Sequence, residues 1–183
     1  MNEYRILFTG TMDAGKTTAV STLLENAPIT TEVRADHVLL DPTGAPIGMD
    51  YGDLALDNGD RLRLYGIPGQ RRFDFMWKTL AETALGLVIL VDNSRPDPLA
   101  DLSIYLENFE GLIRDTACVI GIGRMQPHPQ PDLDAFSDRM QDHGVVCPVL
   151  PTDVRDRQDV LTLVDLLLMQ LESRGPARVA GAT

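Results

Sequence analysis

The chain has 183 residues, of which 27 are acidic and 16 basic, and its formal charge of -11 makes nucleic acid an unfavourable partner. Hydrophobic residues (44%) and charged residues (23%) stand in the balance of one soluble globular domain, which excludes a disordered or membrane-embedded chain. No stretch approaches the roughly 20 apolar residues that span a membrane, and Glu3 stands where a signal peptide carries basic residues. We therefore expect a cytoplasmic protein without membrane insertion.

Short apolar runs alternate with helical patterns along the chain, which is typical of a mostly parallel sheet covered by helices on both faces. We predict a three-layer α/β fold with a six-stranded, mostly parallel sheet, one antiparallel edge strand and about five helices. It occupies residues 1–173, followed by a flexible tail over 174–183. The predicted strands cover 4–9, 35–40, 46–56, 61–67, 86–92, 116–121 and 145–150, and the helices 16–26, 72–83, 98–114, 132–143 and 157–173. Asn58-Gly59 predicts a hairpin between two of these strands.

A glycine-rich loop lies between the first predicted strand and the first helix. Its sequence, Gly10-Thr11-Met12-Asp13-Ala14-Gly15-Lys16-Thr17, fits the P-loop pattern G-x-x-x-x-G-K-[S/T] in full. In this motif backbone N–H groups and the helix N-terminus face phosphate oxygens, the lysine bridges the outer phosphates, and the hydroxyl that follows it ligates Mg²⁺. The predicted phosphate-binding residues within and just after the loop are Gly10, Asp13, Ala14, Gly15, Lys16, Thr17 and Thr18.

The cysteines and histidines of the chain are the residue types that could form a redox or transition-metal site. Cys118 and Cys147 lie in predicted apolar strands without C-x-x-C spacing, so they are interpreted as buried reduced thiols. The three histidines lie in separate segments with no ligand spacing, and the sequence does not support a transition-metal site.

A second glycine-containing segment, Leu64-Tyr65-Gly66-Ile67-Pro68-Gly69-Gln70-Arg71-Arg72-Phe73, follows a predicted strand and precedes a helix. Together with the P-loop, its Pro-Gly-Gln makes the chain resemble the bacterial MglA-like small GTPases of the Ras-like P-loop superfamily, over about residues 4–172. The resemblance implies that the Gly69 N–H contacts the γ-phosphate. It also implies that Gln70 orients the attacking water, which makes Gln70 the catalytic candidate.

Support for the metal is less regular than in that family. Gly66 stands where Ras-like proteins place an acid beside Mg²⁺. Asp50, on the neighbouring predicted strand, either substitutes for that acid through a water molecule or faces solvent, and the sequence leaves both open. The resemblance also implies a threonine ligand from the first switch, for which Thr43 is the candidate and Thr30 and Thr31 are rivals.

The base-recognition motif departs further from the family. Gly123-Arg124-Met125-Gln126 stands where Ras-like proteins carry N-K-x-D, so the acid that identifies guanine is missing. Gln126 offers one acceptor without charge, and Arg124 is expected to lie along the base plane. The resemblance places a backbone contact to the base within Thr152-Asp153-Val154.

The resemblance implies a molecular switch that binds GTP and GDP with Mg²⁺, hydrolyses GTP slowly, and acts in bacterial signalling or polarity. A roadblock-type or other protein regulator would contact its switch segments. Met12, Gly66 and Gln126 favour an alternative, a pseudo-GTPase that serves as an interaction module with little or no hydrolysis. A small-molecule kinase is a third possibility, but the chain has no arginine-rich lid and carries the Pro-Gly-Gln segment instead.

Overall fold

The structure, a computed structural model, describes residues 3–24, 39–40, 46–47, 50–55, 59–67, 80 and 84–173. The strands are β1 (Glu3–Gly10), β2 (Leu39–Leu40), β3 (Pro46–Ile47), β4 (Asp50–Ala55), β5 (Arg61–Gly66), β6 (Gly86–Asp92), β7 (Ala117–Gly123) and β8 (Val149–Pro151). The helices are α1 (Lys16–Leu24), α2 (Pro98–Asn108), α3 (Glu110–Asp115), α4 (Leu133–Asp142) and α5 (Arg157–Ser173).

Six of the strands form one sheet in the order β4-β5-β1-β6-β7-β8. Only β4, at one edge, is antiparallel to its neighbour, and every other pair in this sheet is parallel. The predicted α/β class and the mostly parallel six-stranded sheet with one antiparallel edge strand are therefore confirmed, and β4 pairs with β5 as the predicted hairpin requires, although Asn58 of its turn lies outside the described residues. β2 and β3 form a separate antiparallel pair.

The two faces of the sheet carry two separate cores. Residue alternation along β6 sends Leu87 and Ile89 into one core and Val88 and Leu90 into the other, because successive strand side chains point to opposite faces. All seven residues of β6 are buried, which explains why its sequence is continuously apolar up to Asp92 rather than alternating. One core contains residues from α2, α3 and α4, and the other contains residues from α1 and α5. The result is three layers.

The predicted helix 98–114 is wrong as a single element. α2 ends at Asn108 and α3 begins at Glu110, because Phe109 takes φ -107 and ψ 15 and buries its side chain, which is 2% exposed. Gly111 follows directly and lowers the helix propensity at this point.

The predicted last strand, 145–150, is also shifted. Residues Val145 to Pro148 precede the strand, which runs from Val149 to Pro151 and pairs with Ile120–Ile122 of β7. Pro148 has no N–H to donate to a ladder, which is consistent with strand pairing beginning after it.

Several predictions fall outside the described residues, namely the helix 72–83, most of the strand 35–40 and the tail 174–183. Within the described ranges, no helix combines the length and apolar character needed to cross a bilayer.

Candidate functional site

The P-loop leaves the carboxyl end of β1, in the centre of the sheet. Gly10 has φ +139, and a Cβ atom built on it would lie 1.9 Å from the carbonyl oxygen of Leu90 in β6. The next residue, Thr11, donates its N–H to that same oxygen at 3.3 Å. Only glycine permits this approach, so Gly10 is required by the contact between β1 and β6.

The loop then turns into α1. Asp13 has φ 63, and the N–H of Ala14 donates to the Thr11 oxygen at 3.2 Å. Gly15 has φ +89, and a Cβ on it would lie 2.5 Å from Val154 Cγ2. The Ala19 N–H donates to the Gly15 oxygen at 2.8 Å, which starts the helix at the position that the motif predicts.

Lys16 folds back over the loop that precedes it. Its Nζ donates to the carbonyl oxygens of Gly10 at 3.0 Å and Thr11 at 2.6 Å. Burial lowers the pKa of Lys16 from its usual 10.5 to about 8, although the carboxylates of Asp13 and Asp50 act in the opposite direction. Lys16 is thus a partly desolvated cation, so its electrostatic attraction to an anionic partner is stronger than it would be in water.

Thr17 and Asp50 meet beside the loop. The Thr17 hydroxyl donates to Asp50 Oδ2 at 2.5 Å, although the two residues lie 33 positions apart. Asp50 lies directly opposite Gly66 in the antiparallel register, and a Cβ on Gly66 would lie 3.0 Å from Asp50 Oδ2. Glycine at 66 therefore leaves room for a carboxylate that comes from the next strand.

This pair of oxygens fits Mg²⁺. The ion takes oxygen ligands and is bound in phosphate sites by one or two protein groups together with the phosphates. A hydroxyl ligand with a carboxylate directly behind it satisfies that description. Among the described residues, no three His, Cys, Asp or Glu side chains lie together as metal ligands, so an all-protein cage is not present there.

A cleft of about 750 Å³ runs from the P-loop to β7. Its lining includes Met12, Asp13, Gly15, Lys16, Thr17 and Thr18 from the loop and α1, and Asp92, Ser94, Arg95, Pro96 and Arg124 from the ends of β6 and β7. The segment 92–96 carries no motif that identifies it as part of a site. Its position could have indicated a binding role, because it follows the carboxyl end of a central parallel strand, where open α/β sheets bind their ligands.

A buried carboxylate holds Arg124 in the cleft. Asp92 is 4% exposed, and its Oδ1 accepts hydrogen bonds from the Ser94 N–H at 2.9 Å and the Ser94 hydroxyl at 2.6 Å. Arg124 Nη1 donates to Asp92 Oδ2, while Nη2 lies 3.4 Å from the Asp13 carbonyl oxygen. Arg124 also has φ 59, a backbone state that costs a non-glycine residue about 1–2 kcal/mol. The hydrogen bonds of Arg124 to Asp92 and to the Asp13 oxygen offset the cost of its backbone conformation.

Asn93 fixes the loop that begins with Arg124. Its backbone N–H donates to the Gly123 oxygen at 3.1 Å. Its side-chain Nδ2 donates to the carbonyl oxygens of His128 at 2.6 Å and Pro131 at 3.0 Å. Asn93 is 3% exposed and its two side-chain bonds are partly buried, and both ends of the loop 124–131 are connected to the end of β6.

The other predicted base-pocket residues lie outside the cleft. Gln126 is exposed and is absent from the described lining. The Thr152 N–H donates to the Ile122 oxygen at 2.9 Å, and the Asp153 N–H donates to Asp159 Oδ2 at 2.8 Å, so both backbone donors have protein acceptors. Arg155 hydrogen-bonds the Asp153 carboxylate and lowers its pKa to about 2. The backbone oxygen of Val154 accepts from the Thr22 hydroxyl at 2.9 Å.

The switch predictions are not reached by the described residues. Thr43, Gly69 and Gln70, as well as Thr30 and Thr31, lie outside them. The thiols do lie within them. Neither forms a disulfide, and Cys118 is buried in β7 as predicted, whereas Cys147 is only partly buried and precedes β8.

No protein-family model matches the chain. A comparison with curated proteins finds a similarity to an uncharacterized protein, MJ1339, of Methanocaldococcus jannaschii. It is 29% identical over 90 residues, which cover 49% of this chain and 51% of that protein. The chain therefore matches about half the length of this relative.

Proposed function

We propose that the chain is a GTP-binding molecular switch of the MglA-like kind, with slow Mg²⁺-dependent hydrolysis of GTP. The observation that carries the proposal is the convergence of a complete P-loop, the Lys16 ammonium and the Thr17–Asp50 pair at one end of the cleft. A nucleotide would place its phosphates there and extend toward Arg124.

Each residue has a distinct part in this proposal. Besides the N–H groups of Thr11 and Ala14, which have protein acceptors, those of the loop and of the start of α1 would face the phosphates, and Lys16 would exchange two carbonyl oxygens for phosphate oxygens. Thr17 would hold Mg²⁺, and Asp50 would orient that ligand and add negative charge behind it. Mg²⁺ would neutralise the part of the phosphate charge that a single lysine cannot neutralise.

Hydrolysis and switching rest on the resemblance alone. Gln70 would orient the attacking water and Gly69 would contact the γ-phosphate, and the segments around Thr43 and Gly69 would change shape between the GTP and GDP states. A roadblock-type or other protein regulator would bind that changing surface, in bacterial signalling or cell polarity.

The decisive experiment measures binding of GTP, GDP and ATP to nucleotide-stripped protein, with and without Mg²⁺, followed by phosphate release over hours. We expect guanine nucleotides to bind tightly and Mg²⁺ to strengthen that binding. Phosphate release should be slow and lost in Gln70→Leu. Gln141→Leu, an exposed glutamine of α4, is the matched control and should hydrolyse at the wild-type rate.

The second candidate is a nucleotide-binding interaction module without hydrolysis. It is favoured by the exposure of Gln126 away from the cleft and by Met12, which is 55% exposed within the loop. Nucleotide binding without phosphate release above background would favour this module over the switch, whereas phosphate release unaffected by Gln70→Leu would contradict the role of Gln70.

A further inference from the structure

Arg124 lines the cleft beside the ends of β6 and β7, and its close contact is the one with Asp92. Asp92 Oδ2 accepts from Nη1, and the contacts of the guanidinium to Ser94 Oγ and the Asp13 oxygen are both 3.4 Å long. A guanidinium has five N–H donors, and its side chain here remains 51% exposed. Donors are therefore left for a ligand while the buried Asp92 carboxylate keeps the group in place.

The chemistry of a fixed guanidinium discriminates between purines. It has donors and no acceptors, so it binds an edge that offers acceptors. Guanine presents two adjacent acceptors, O6 and N7, and an arginine contacts both at once. Adenine presents N7 beside an amino group, which is a donor and leaves one N–H unpaired. Because a desolvated donor without a partner is costly, the same group that attracts guanine disfavours adenine.

The opposite edge of the base has no comparable partner among the described residues of the cleft. Gln126 does not line it, and the Asp153 carboxylate is held by Arg155 outside it, at 2.7 Å from Oδ2 to Nη2. Two described acids line the cleft: Asp13 belongs to the P-loop and acts on the charge of Lys16, at the end proposed for the phosphates, and the oxygens of Asp92 accept from Ser94 and Arg124. A carboxylate reading the N1 and 2-amino group of guanine is therefore not available from these residues.

We propose that Arg124, positioned by Asp92, is the specificity-determining residue of the cleft and selects guanine through its O6 and N7 atoms rather than through its 2-amino group. This inference rests on the proposed binding of nucleotides in the cleft. It identifies the ligand class as 6-oxopurine nucleotides, which include inosine as well as guanosine nucleotides.

The test compares four diphosphates on the wild-type protein in the presence of Mg²⁺: GDP, IDP, 7-deaza-GDP and ADP. IDP lacks the 2-amino group and keeps O6 and N7, whereas 7-deaza-GDP keeps the 2-amino group and lacks the N7 acceptor. We expect IDP to bind within about threefold of GDP, and 7-deaza-GDP and ADP to bind about tenfold or more weakly, the range expected for lost arginine contacts to this edge.

Variants then assign the effect to Arg124. Arg124→Lys keeps a positive charge next to Asp92 but loses the paired donors, so the difference between GDP and 7-deaza-GDP should shrink to about twofold or less. Arg139→Lys is the matched control, since this arginine donates to the Ser103 hydroxyl at 3.0 Å outside the cleft and should keep the full difference. The wild-type comparison does not depend on how well either variant folds.

The outcomes separate the two proposals. If 7-deaza-GDP binds as well as GDP while IDP binds tenfold more weakly, Arg124 does not read this edge and the inference is overturned. If GDP and ADP bind equally and both require Lys16, the inference fails while phosphate binding in the cleft stands. If none of the four binds, the proposed function fails as well.

Discussion

The Thr17 hydroxyl and the Asp50 carboxylate share a 2.5 Å hydrogen bond that joins the first turn of α1 to the start of β4. In the register of the sheet, Asp50 faces Gly66, the position where the resemblance leads one to expect an acid. In the proposed site the acid would therefore come from the neighbouring strand, and the absence of a side chain at 66 leaves room for it.

Replacing Asp50 by alanine should weaken the effect of Mg²⁺ on nucleotide binding by about 10- to 100-fold, the usual cost of losing a group that orients a metal ligand. The measurement is the rate of GDP dissociation with Mg²⁺ and with EDTA. Asp53→Ala is the control, because Asp53 lies on the same strand but pairs with Tyr51 and Arg63. Identical Mg²⁺ effects in Asp50→Ala and wild type would contradict the role of Asp50.

Nucleotide binding should be accompanied by proton uptake near pH 8.5. The pKa of Lys16 is about 8 in the free protein, so much of it is neutral at that pH, whereas neighbouring phosphates favour the charged form. The affinity should therefore fall as the pH rises above 8. Calorimetry in two buffers of different ionisation enthalpy measures the uptake, and Lys16→Arg, which stays charged, should show none. Equal uptake in this variant would assign the proton to another group.

Alanine at Gly10 should destabilise the fold by about 3 kcal/mol or more, because its Cβ would collide with backbone and adopt a disfavoured φ. Gly59→Ala separates the two causes. Gly59 has φ +86, but a Cβ on it meets no described atom within 4 Å, so only the backbone cost of about 1–2 kcal/mol applies. Urea unfolding of both variants provides the comparison. Similar losses of stability would show that the contact with Leu90 is relaxed easily.

Asn93→Ala should loosen the loop 124–131, since two partly buried carbonyl oxygens lose their donor at a total cost of about 1–3 kcal/mol. Hydrogen exchange followed by mass spectrometry should show faster exchange in this loop than in the wild type. Asn108→Ala removes one exposed hydrogen bond, to the Ile104 oxygen, and should leave the loop unchanged. Unaltered exchange in Asn93→Ala would mean that the loop is held by other contacts.

Thiol reagents should modify Cys147 before Cys118. A hydrogen bond with Cys147 and complete burial both raise the pKa of the Cys118 thiol, so very little reactive thiolate forms there at neutral pH. Mass spectrometry after brief treatment with N-ethylmaleimide should find one modified site in the native protein and two after unfolding. Native Cys147→Ser should remain unlabelled, and its labelling would show that Cys118 is accessible.

The parts of the molecule that are encoded locally could be predicted from the sequence. A few consecutive residues are enough to recognise the apolar run at 86–92, the hairpin glycine and the P-loop. The break at Phe109 was missed because the pattern of apolar residues continues through it, and only the tertiary position of the phenyl ring distinguishes two helices from one.

The contacts that complete the site join distant positions. Thr17 with Asp50 and Asp92 with Arg124 are separated by 33 and 32 residues, and no periodicity relates such pairs. Strand order brings them together, because β6 lies between β1 and β7 and β4 reaches the site across β5. From the sequence alone, two roles were open for Asp50, and no role in the site was predicted for Asp92.

Strand β6 supports both ends of the cleft. The P-loop is hydrogen-bonded to the Leu90 oxygen of this strand. The loop that carries Arg124 is hydrogen-bonded to Asp92, at the end of the strand, and to Asn93, which follows it. Neighbouring strands are spaced about 4.8 Å apart, a distance set by backbone hydrogen bonds. In the proposed site, the spacing of the backbone positions that carry Lys16 and Arg124 is therefore set by the sheet, so side-chain substitutions in the cleft would change which molecule is preferred more readily than how far apart its two ends are held.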